Sequence, residues 1–195
     1  KEVIFDLWNQ EPEGGSTYGR ILLELTSSDG SGFERFKLSW FSGSTESNYY
    51  VSPSASIADG QWHHYAVTLK TIGNKIYSDF YKDGTLQLQS NDTKYIGNIQ
   101  GLSKATVGVI GALATHPSGG SGTGLVLGDG KLSASLDEFR YWKHARTAQQ
   151  IGLNWFNQVG GGTNEYDYNK ELGIYYKFNE GITGDSTFDS TVLDY

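Results

Sequence analysis

The sequence predicts an all-β fold: a two-sheet antiparallel jelly-roll sandwich carrying one short helix. Three observations lead there. Roughly ten short segments alternate apolar with polar residues, or run apolar for a few positions, and Gly-bearing turns separate them. One stretch alone has helical periodicity. The composition, with 26 Gly, 3 Pro, 5 Trp, 13 Tyr and 9 Phe, suits many tight turns around an aromatic core. At 195 residues the chain can bury a substantial core without staples, and one domain spanning residues 1 to 195 is expected.

The segments follow in order. Glu2 to Asn9 reads as a strand, then a Gly/Pro-bearing loop runs to Gly19. Arg20 to Thr26 is the next strand. Phe33 to Phe41 alternates Phe36, Leu38 and Trp40 against Arg35, Lys37 and Ser39, the signature of a half-buried strand. Asn48 to Ser52 is short and Tyr-rich, and Trp62 to Lys70 follows Asp59-Gly60. Lys75 to Lys82 and Thr85 to Gln89 flank Asp83-Gly84, a pair whose tolerance of positive φ suits the two-residue hairpin turn. Thr106 to Gly111 is an apolar strand before a Gly/Ser-rich loop from Thr115 to Gly124, long enough to be a functional segment. Leu125 to Leu127, Lys131 to Trp142 and Gly173 to Asn179 complete the strands.

The helix lies between the last two of these. Thr147 is a good N-cap, and Gln150 stands three residues on, the capping-box spacing. Ala148, Ile151, Trp155 and Val159 recur at helical spacing, a stripe that can lie on a sheet. The helix is expected to end near Gln158, before Gly160-Gly161-Gly162. Trp62, Trp142 and Trp155 are expected in the core.

Charge and composition restrict the function. A net charge of -7 supplies no basic footprint for nucleic acid or an anionic membrane surface. No apolar run approaches the length of a membrane span. Cysteine is absent, and a domain of this size does not need it. Methionine is absent too, even at position 1, and the expectation is a segment of a longer polypeptide.

Five pieces of the chain resemble the laminin-G-like, concanavalin A-like jelly rolls of bacterial, phage and extracellular proteins. Asp59 to Thr68 is similar to the family's DGxWHHVAVT strand, and Phe80 to Gly84 to its LYVDG hairpin. Val109 to Ala112 is similar to its IGA strand. Leu136 to Trp142 resembles IDEVRIYN, followed by Arg146 to Ile151 in place of the L-S-x-E-E-I helix. Gly173 to Gly181, with Asp189-Ser190 later, resembles the GLVAYYxFDEG…DSSG segment. Order and spacing agree over roughly residues 59 to 190. The family's usual FDG turn and FTISFWV strand are missing, and Lys1 to Gln10 is more similar to the strand that follows them. The resemblance implies the concanavalin A-like lectin/glucanase fold, which hosts lectins and glycosidases alike.

Candidate chemistry is sparse. His63 and His64 are neighbours on a strand and face opposite ways, so they cannot share a metal, and packed or hydrogen-bonded histidines are expected. Glycosidases of this fold align three acids on one strand. The nearest match, Glu165, Asp167 and Glu171, is mispitched, and a polar loop explains it better. Asp137 is expected to accept backbone hydrogen bonds. For a structural Ca²⁺, Glu180, Asp185 and Asp189, beside Asn179, offer the carboxylate oxygens, against the simpler reading of a solvated acidic turn. For a sugar, which stacks its apolar face on an aromatic ring with polar groups at the edge, the candidate ligand-binding set is Trp40, Asn48, Tyr49 and Tyr50. Adjacent strand residues put one ring of Tyr49 and Tyr50 in and the other out.

The functional expectation is a non-catalytic recognition module that binds a carbohydrate or another surface molecule. It would be displayed on an extracellular, cell-surface or virion-surface protein, with no nucleic-acid partner and no membrane insertion. The alternatives are a structural spacer of a virion or surface fibre, marked by a sheet face without an exposed ring, and a glycoside hydrolase.

Overall fold

The structure is a computed structural model and describes residues 2–27, 34–51, 57, 59–91, 99, 106–114, 130–160, 169–179 and 194. The described strands are β1 (Glu2–Trp8), β2 (Gly19–Ser27), β3 (Glu34–Ser42), β4 (Thr45–Val51), β5 (Tyr65–Ile72), β6 (Lys75–Lys82), β7 (Thr85–Asn91), β8 (Val107–Ile110), β9 (Phe139–Trp142) and β10 (Leu172–Tyr176), with helix α1 (Ala148–Asn154) before the last. The fold is all-β with one short helix, as predicted. The described strands form three hydrogen-bonded sheets, consistent with the predicted β-sandwich: β4-β3-β2-β1-β8, β5-β6-β7 and β10-β9. The chain divides into two compact units, residues 1–62, 69–80 and 87–133 in one and residues 63–68, 81–86 and 134–195 in the other.

In the first unit, antiparallel register sorts the five-stranded sheet into two faces, because residues directly opposite each other share a side. Phe36 pairs with Leu25 and Val51, Leu38 with Leu23 and Tyr49, and Trp40 with Ile21 and Ser47. This face is apolar. Phe36 meets Phe80 of β6 with ring centroids 4.7 Å apart, and Leu38, Trp40 and Val51 are buried with them. Each such side chain contributes about 1.5–3 kcal/mol of burial free energy.

The opposite face carries Asp6, Arg20, Leu22, Glu24, Lys37, Ser39, Glu46, Asn48 and Tyr50. A bulge in β1 between Val3 and Phe5 changes the strand's phase, so Val3 joins this face and clusters with Leu22 and Leu113. Asp6 and Arg20 are 0% and 3% exposed. Arg20 donates Nε to Asp6 Oδ1 at 2.8 Å and Nη2 to Oδ2 at 2.5 Å, while the Ala114 N–H donates to Oδ2 at 2.8 Å. Burial alone would lower the Arg20 pKa, but the bonds and charge of Asp6, and those of Tyr18, raise it.

In the second unit, Thr147 caps α1 with the predicted capping box: its hydroxyl accepts from Gln150 N–H, and Gln150 Oε1 accepts from Thr147 N–H at 2.9 Å. Ile151 and Val159 are buried as the stripe requires, whereas Ala148 is exposed and the helix stops at Asn154, short of Gln158. Asp83 (φ 48°) and Gly84 (φ 74°) both take positive φ, as a type I′ hairpin demands. Glycine is required at Gly84 for a second reason, since an added Cβ would lie 2.3 Å from the Trp155 ring.

Two further expectations need correction. The predicted strand from Lys131 to Trp142 is reduced to Phe139–Trp142, because Glu138 adopts φ 54° and cannot continue an extended chain. Trp62 is 71% exposed and is not a core residue; it precedes β5, outside the ladder that would have covered it. The predicted strand at 125–127 and the loop at 115–124 lie outside the described residues.

Arg20→Met should lower unfolding free energy by about 3–5 kcal/mol, because it leaves Asp6 buried without its cation. Adding Asp6→Leu should recover only part of the loss, since the Ala114 N–H then has no acceptor. Urea midpoints of the three proteins check this, and full recovery in the double variant would contradict it.

Candidate functional site

The polar face of the five-stranded sheet is built in three rows across the strands. Trp8, Arg20, Phe41 and Glu46 make the first, Asp6, Leu22, Ser39 and Asn48 the second, and Val3, Glu24, Lys37 and Tyr50 the third. On the β1 side, Asp6, Val3, Leu22 and Arg20 are buried together with Leu113 and Ala114. On the β4 side, Asn48 and Tyr50 are exposed and Glu46 is partly so, with Lys37, Ser39 and Phe41 behind them. The accessible part of the face is therefore its β4 edge.

Its contacts are polar and aromatic. Ser39 Oγ donates to Asn48 Oδ1 at 2.7 Å. Lys37 Nζ stands between two carboxylates, 4.0 Å from Glu24 Oε2 and 3.9 Å from Glu46 Oε1, and 6.0 Å from the Tyr50 ring centroid. Tyr50 is 51% exposed, with the Lys37 ammonium across from its ring and the Asn48 amide next along the same strand face. This is the arrangement that stacks on one side of a polyhydroxylated ring and hydrogen-bonds its edges.

The sequence-derived set Trp40, Asn48, Tyr49 and Tyr50 is split by the register. Asn48 and Tyr50 lie on the polar face. Trp40 and Tyr49 lie on the apolar face, and Trp40, 1% exposed, is corrected from ligand-binding to core residue. Strand parity was available to the sequence reading, but the pairing of β3 with β4 that aligns Lys37 with Tyr50 was not. Lys37, Glu24 and Glu46 were missed for that reason. Glu180, Asp185 and Asp189, the candidate Ca²⁺ ligands, lie outside the described residues, as do Glu165 and Asp167. Glu171 has φ 65° and stands 3.9 Å from His144 Nε2. Among the described residues, no group of three or more His, Cys, Asp or Glu is placed to hold a metal ion.

In the second unit the His63 ring is hydrogen-bonded and the His64 ring is packed, as expected. Asp83 Oδ2 lies 2.7 Å from His63 Nδ1, Asp83 Oδ1 accepts from the His64 N–H at 2.9 Å, and the Asp83 N–H donates to the His64 carbonyl at 2.8 Å. His64 and Trp155 have ring centroids 6.2 Å apart. Nearby, Glu138 accepts from Tyr175 Oη and from Arg140 Nη2, and Arg140 also donates to the Asn157 carbonyl. The turn at Glu138 thus carries a clamp on the end of α1. Asp137 accepts from the Glu138 N–H at 2.9 Å, the backbone role expected of it. Both constellations tie a turn to neighbouring backbone or side chains by hydrogen bonds.

Two groups here couple stability to pH. Burial works against the Asp83 carboxylate, but the bonds from His64 N–H and His63, and the charges of His63 and Lys82, outweigh it and lower its pKa. Burial first, and the Arg140 charge second, lower the His64 pKa, with Asp83 opposing. For both, the unfolded chain holds protons more readily than the folded one, so stability is complete at high pH and lost as pH falls. The His64 loss begins below its ordinary value of 6.5, and the Asp83 loss below 3.8. Melting temperature against pH should decline in two stages; His64→Gln should remove the upper stage and Asp83→Asn the lower. A profile unchanged by both substitutions would refute the assignment.

Residues 2–152 match the Laminin_G_3 family model, described as the Concanavalin A-like lectin/glucanases superfamily. The match takes in β1 to β4, ahead of the motifs that carried the resemblance, and stops before the Gly173 segment. No curated protein matches the chain, and no solved structure does.

Proposed function

The chain belongs to the Concanavalin A-like lectin/glucanases superfamily, and from that membership we propose that it is a non-catalytic recognition module binding a glycan through the β4 edge of its polar sheet face. We place it on an extracellular, cell-surface or virion-surface protein, as part of a longer polypeptide. The observation that carries the reading is the register that sets the exposed Tyr50 ring across from Lys37 and on one strand face with Asn48 and Glu46. A sugar needs both an aromatic platform and several hydrogen-bonding groups at its rim, and this face offers the two together. An exposed ring on the polar face also argues against a bare spacer. A glycosidase needs its scissile bond between two carboxyl groups; between Glu24 and Glu46 that space holds the Lys37 ammonium. Among the described residues no helix is long and apolar enough to cross a membrane.

A glycan array probed with the purified chain, in calcium and again in chelator, tests the proposal. Specific signal is expected, and Tyr50→Ala should weaken it about tenfold or more, equivalent to about 1.4 kcal/mol. Asn48→Ala should weaken it less. Tyr49→Ala should instead lower the melting temperature, because its ring lies on the apolar face. A blank array, or hits indifferent to Tyr50→Ala, would overturn the assignment. Loss of signal in chelator alone would bring a calcium ion at Glu180, Asp185 and Asp189 into the proposal.

A further inference from the structure

In the second unit the end of α1 is held from two sides. On the side of the β6–β7 turn, Trp155 lies against the hairpin tip: a Cβ on Gly84 would stand 2.3 Å from its ring, and the ring centroid is 6.2 Å from that of His64. On the side of β9, Arg140 Nη2 donates to the Asn157 carbonyl at 2.5 Å and Nη1 lies 3.5 Å from the Asn154 carbonyl, so the guanidinium brackets Trp155. Ile151 and Val159 are buried at either end of this segment. Between them, Leu153 and Phe156 are 61% and 66% exposed and contribute little to the hold.

His64 is poorly placed to carry a charge here. Its Nδ1 is buried without a hydrogen-bond partner among the described residues. The charged groups that face it are Arg140, from β9, and Asp83, from the turn after β6. Both carboxylates at hand are engaged: Asp83 by His63 Nδ1 and the His64 N–H, Glu138 by Arg140 and Tyr175 Oη. A proton added to the His64 ring therefore sets a second cation beside the Arg140 guanidinium, whose own Nε is buried without a partner among the described residues. A buried cation without a counter-charge must lose its proton or reach water. The His64 main chain is fixed by its two bonds to Asp83, and Arg140 is tied to Glu138. The part free to yield is the segment between Ile151 and Val159.

We propose that His64 is an acid-operated latch: its protonation opens the segment between Ile151 and Val159 away from Arg140 and the hairpin tip, while the strands stay folded. Trp155 and Phe156 already meet edge to face, with ring centroids 5.6 Å apart. Opening adds the Trp155 ring to the exposed Leu153 and Phe156, so the chain gains in acid an apolar surface that is closed at neutral pH. The sign follows from what lowers the His64 pKa, burial first and the Arg140 charge second. In the open segment His64 takes up its proton near its ordinary value of 6.5, and in the closed one it resists, so falling pH drives opening. The device acts locally and is independent of the glycan-binding reading.

The test is amide hydrogen exchange of the whole chain by NMR, from about pH 7.5 to about pH 5, corrected for the intrinsic exchange rate of each amide. The reporter is the Trp155 N–H, which donates to the Ile151 carbonyl at 3.0 Å. One proton taken up on opening should lower its protection by up to about tenfold per pH unit below 6.5. Amides of β3 and of the β9–β10 ladder should keep theirs. His64→Gln should make the Trp155 protection independent of pH, with the β3 amides confirming that the variant is folded. In the parent chain the decline should level off where the His64 imidazole resonances themselves titrate, a check that needs no variant. Trp155 protection that does not change with pH, or that changes equally in His64→Gln, would overturn the latch. An equal loss of protection across β3 would show global unfolding and overturn it too.

Discussion

The bidentate pair of Arg20 on Asp6 is the constraint on which the functional face depends. Two charges withdrawn from water are tolerable only when each finds its partners, and Asp6 finds a third donor in the Ala114 N–H. That bond fixes where the segment after β8 comes back over the sheet. Leu113, carried along, joins Val3 and Leu22 and shields the β1 side of the polar face. With that half closed, the half bearing Glu46, Asn48 and Tyr50 is the one left open to solvent. The position of the candidate site thus follows from the need to satisfy a buried carboxylate several strands away from it.

A second economy operates in the other unit, where tight turns carry the tertiary bonds. The Asp83-Gly84 hairpin tip serves three purposes at once. It turns the chain, it receives His63 and the His64 N–H on one carboxylate, and at Gly84 it leaves room for the Trp155 ring. Glu138, bent into the left-handed region, aims its carboxylate at Arg140 and Tyr175, while Arg140 collects carbonyls from the end of α1. Unusual backbone and charged side chains here are two parts of one solution. Motifs that look chemically promising in a sequence, such as adjacent histidines or an Asp-Glu pair, are used to hold corners together.

The division of labour on the sheet also shows how one strand serves both the core and the surface. Among the described strands β4 lies at the edge of its sheet, and its alternate residues belong to different worlds. Tyr49 and Val51 complete the apolar face with Leu38 and Phe36, and Tyr50 and Asn48 belong to the solvent side with Lys37 and Ser39. A period of two lets one short strand supply a wall of the core and a row of solvent-facing groups. The solvent-facing row can change without repacking the core.

Much of the fold was legible in the sequence because its signals are local. The alternation in Phe36-Leu38-Trp40, the positive-φ demand met by Asp83-Gly84 and the Thr147/Gln150 capping box each depend on residues a few positions apart. Parity alone also separated Tyr49 from Tyr50. What the tertiary structure decided is which residues stand opposite one another. The approach of Lys37 to Glu24, Glu46 and Tyr50 and the exclusion of Trp40 from the surface both come from strand pairing. No single strand encodes its register, because register is set jointly by the partner's hydrophobic pattern and the turn between them. The sequence by itself determined the class of the fold and its turns; the three-dimensional pairing alone determined the chemistry of the site.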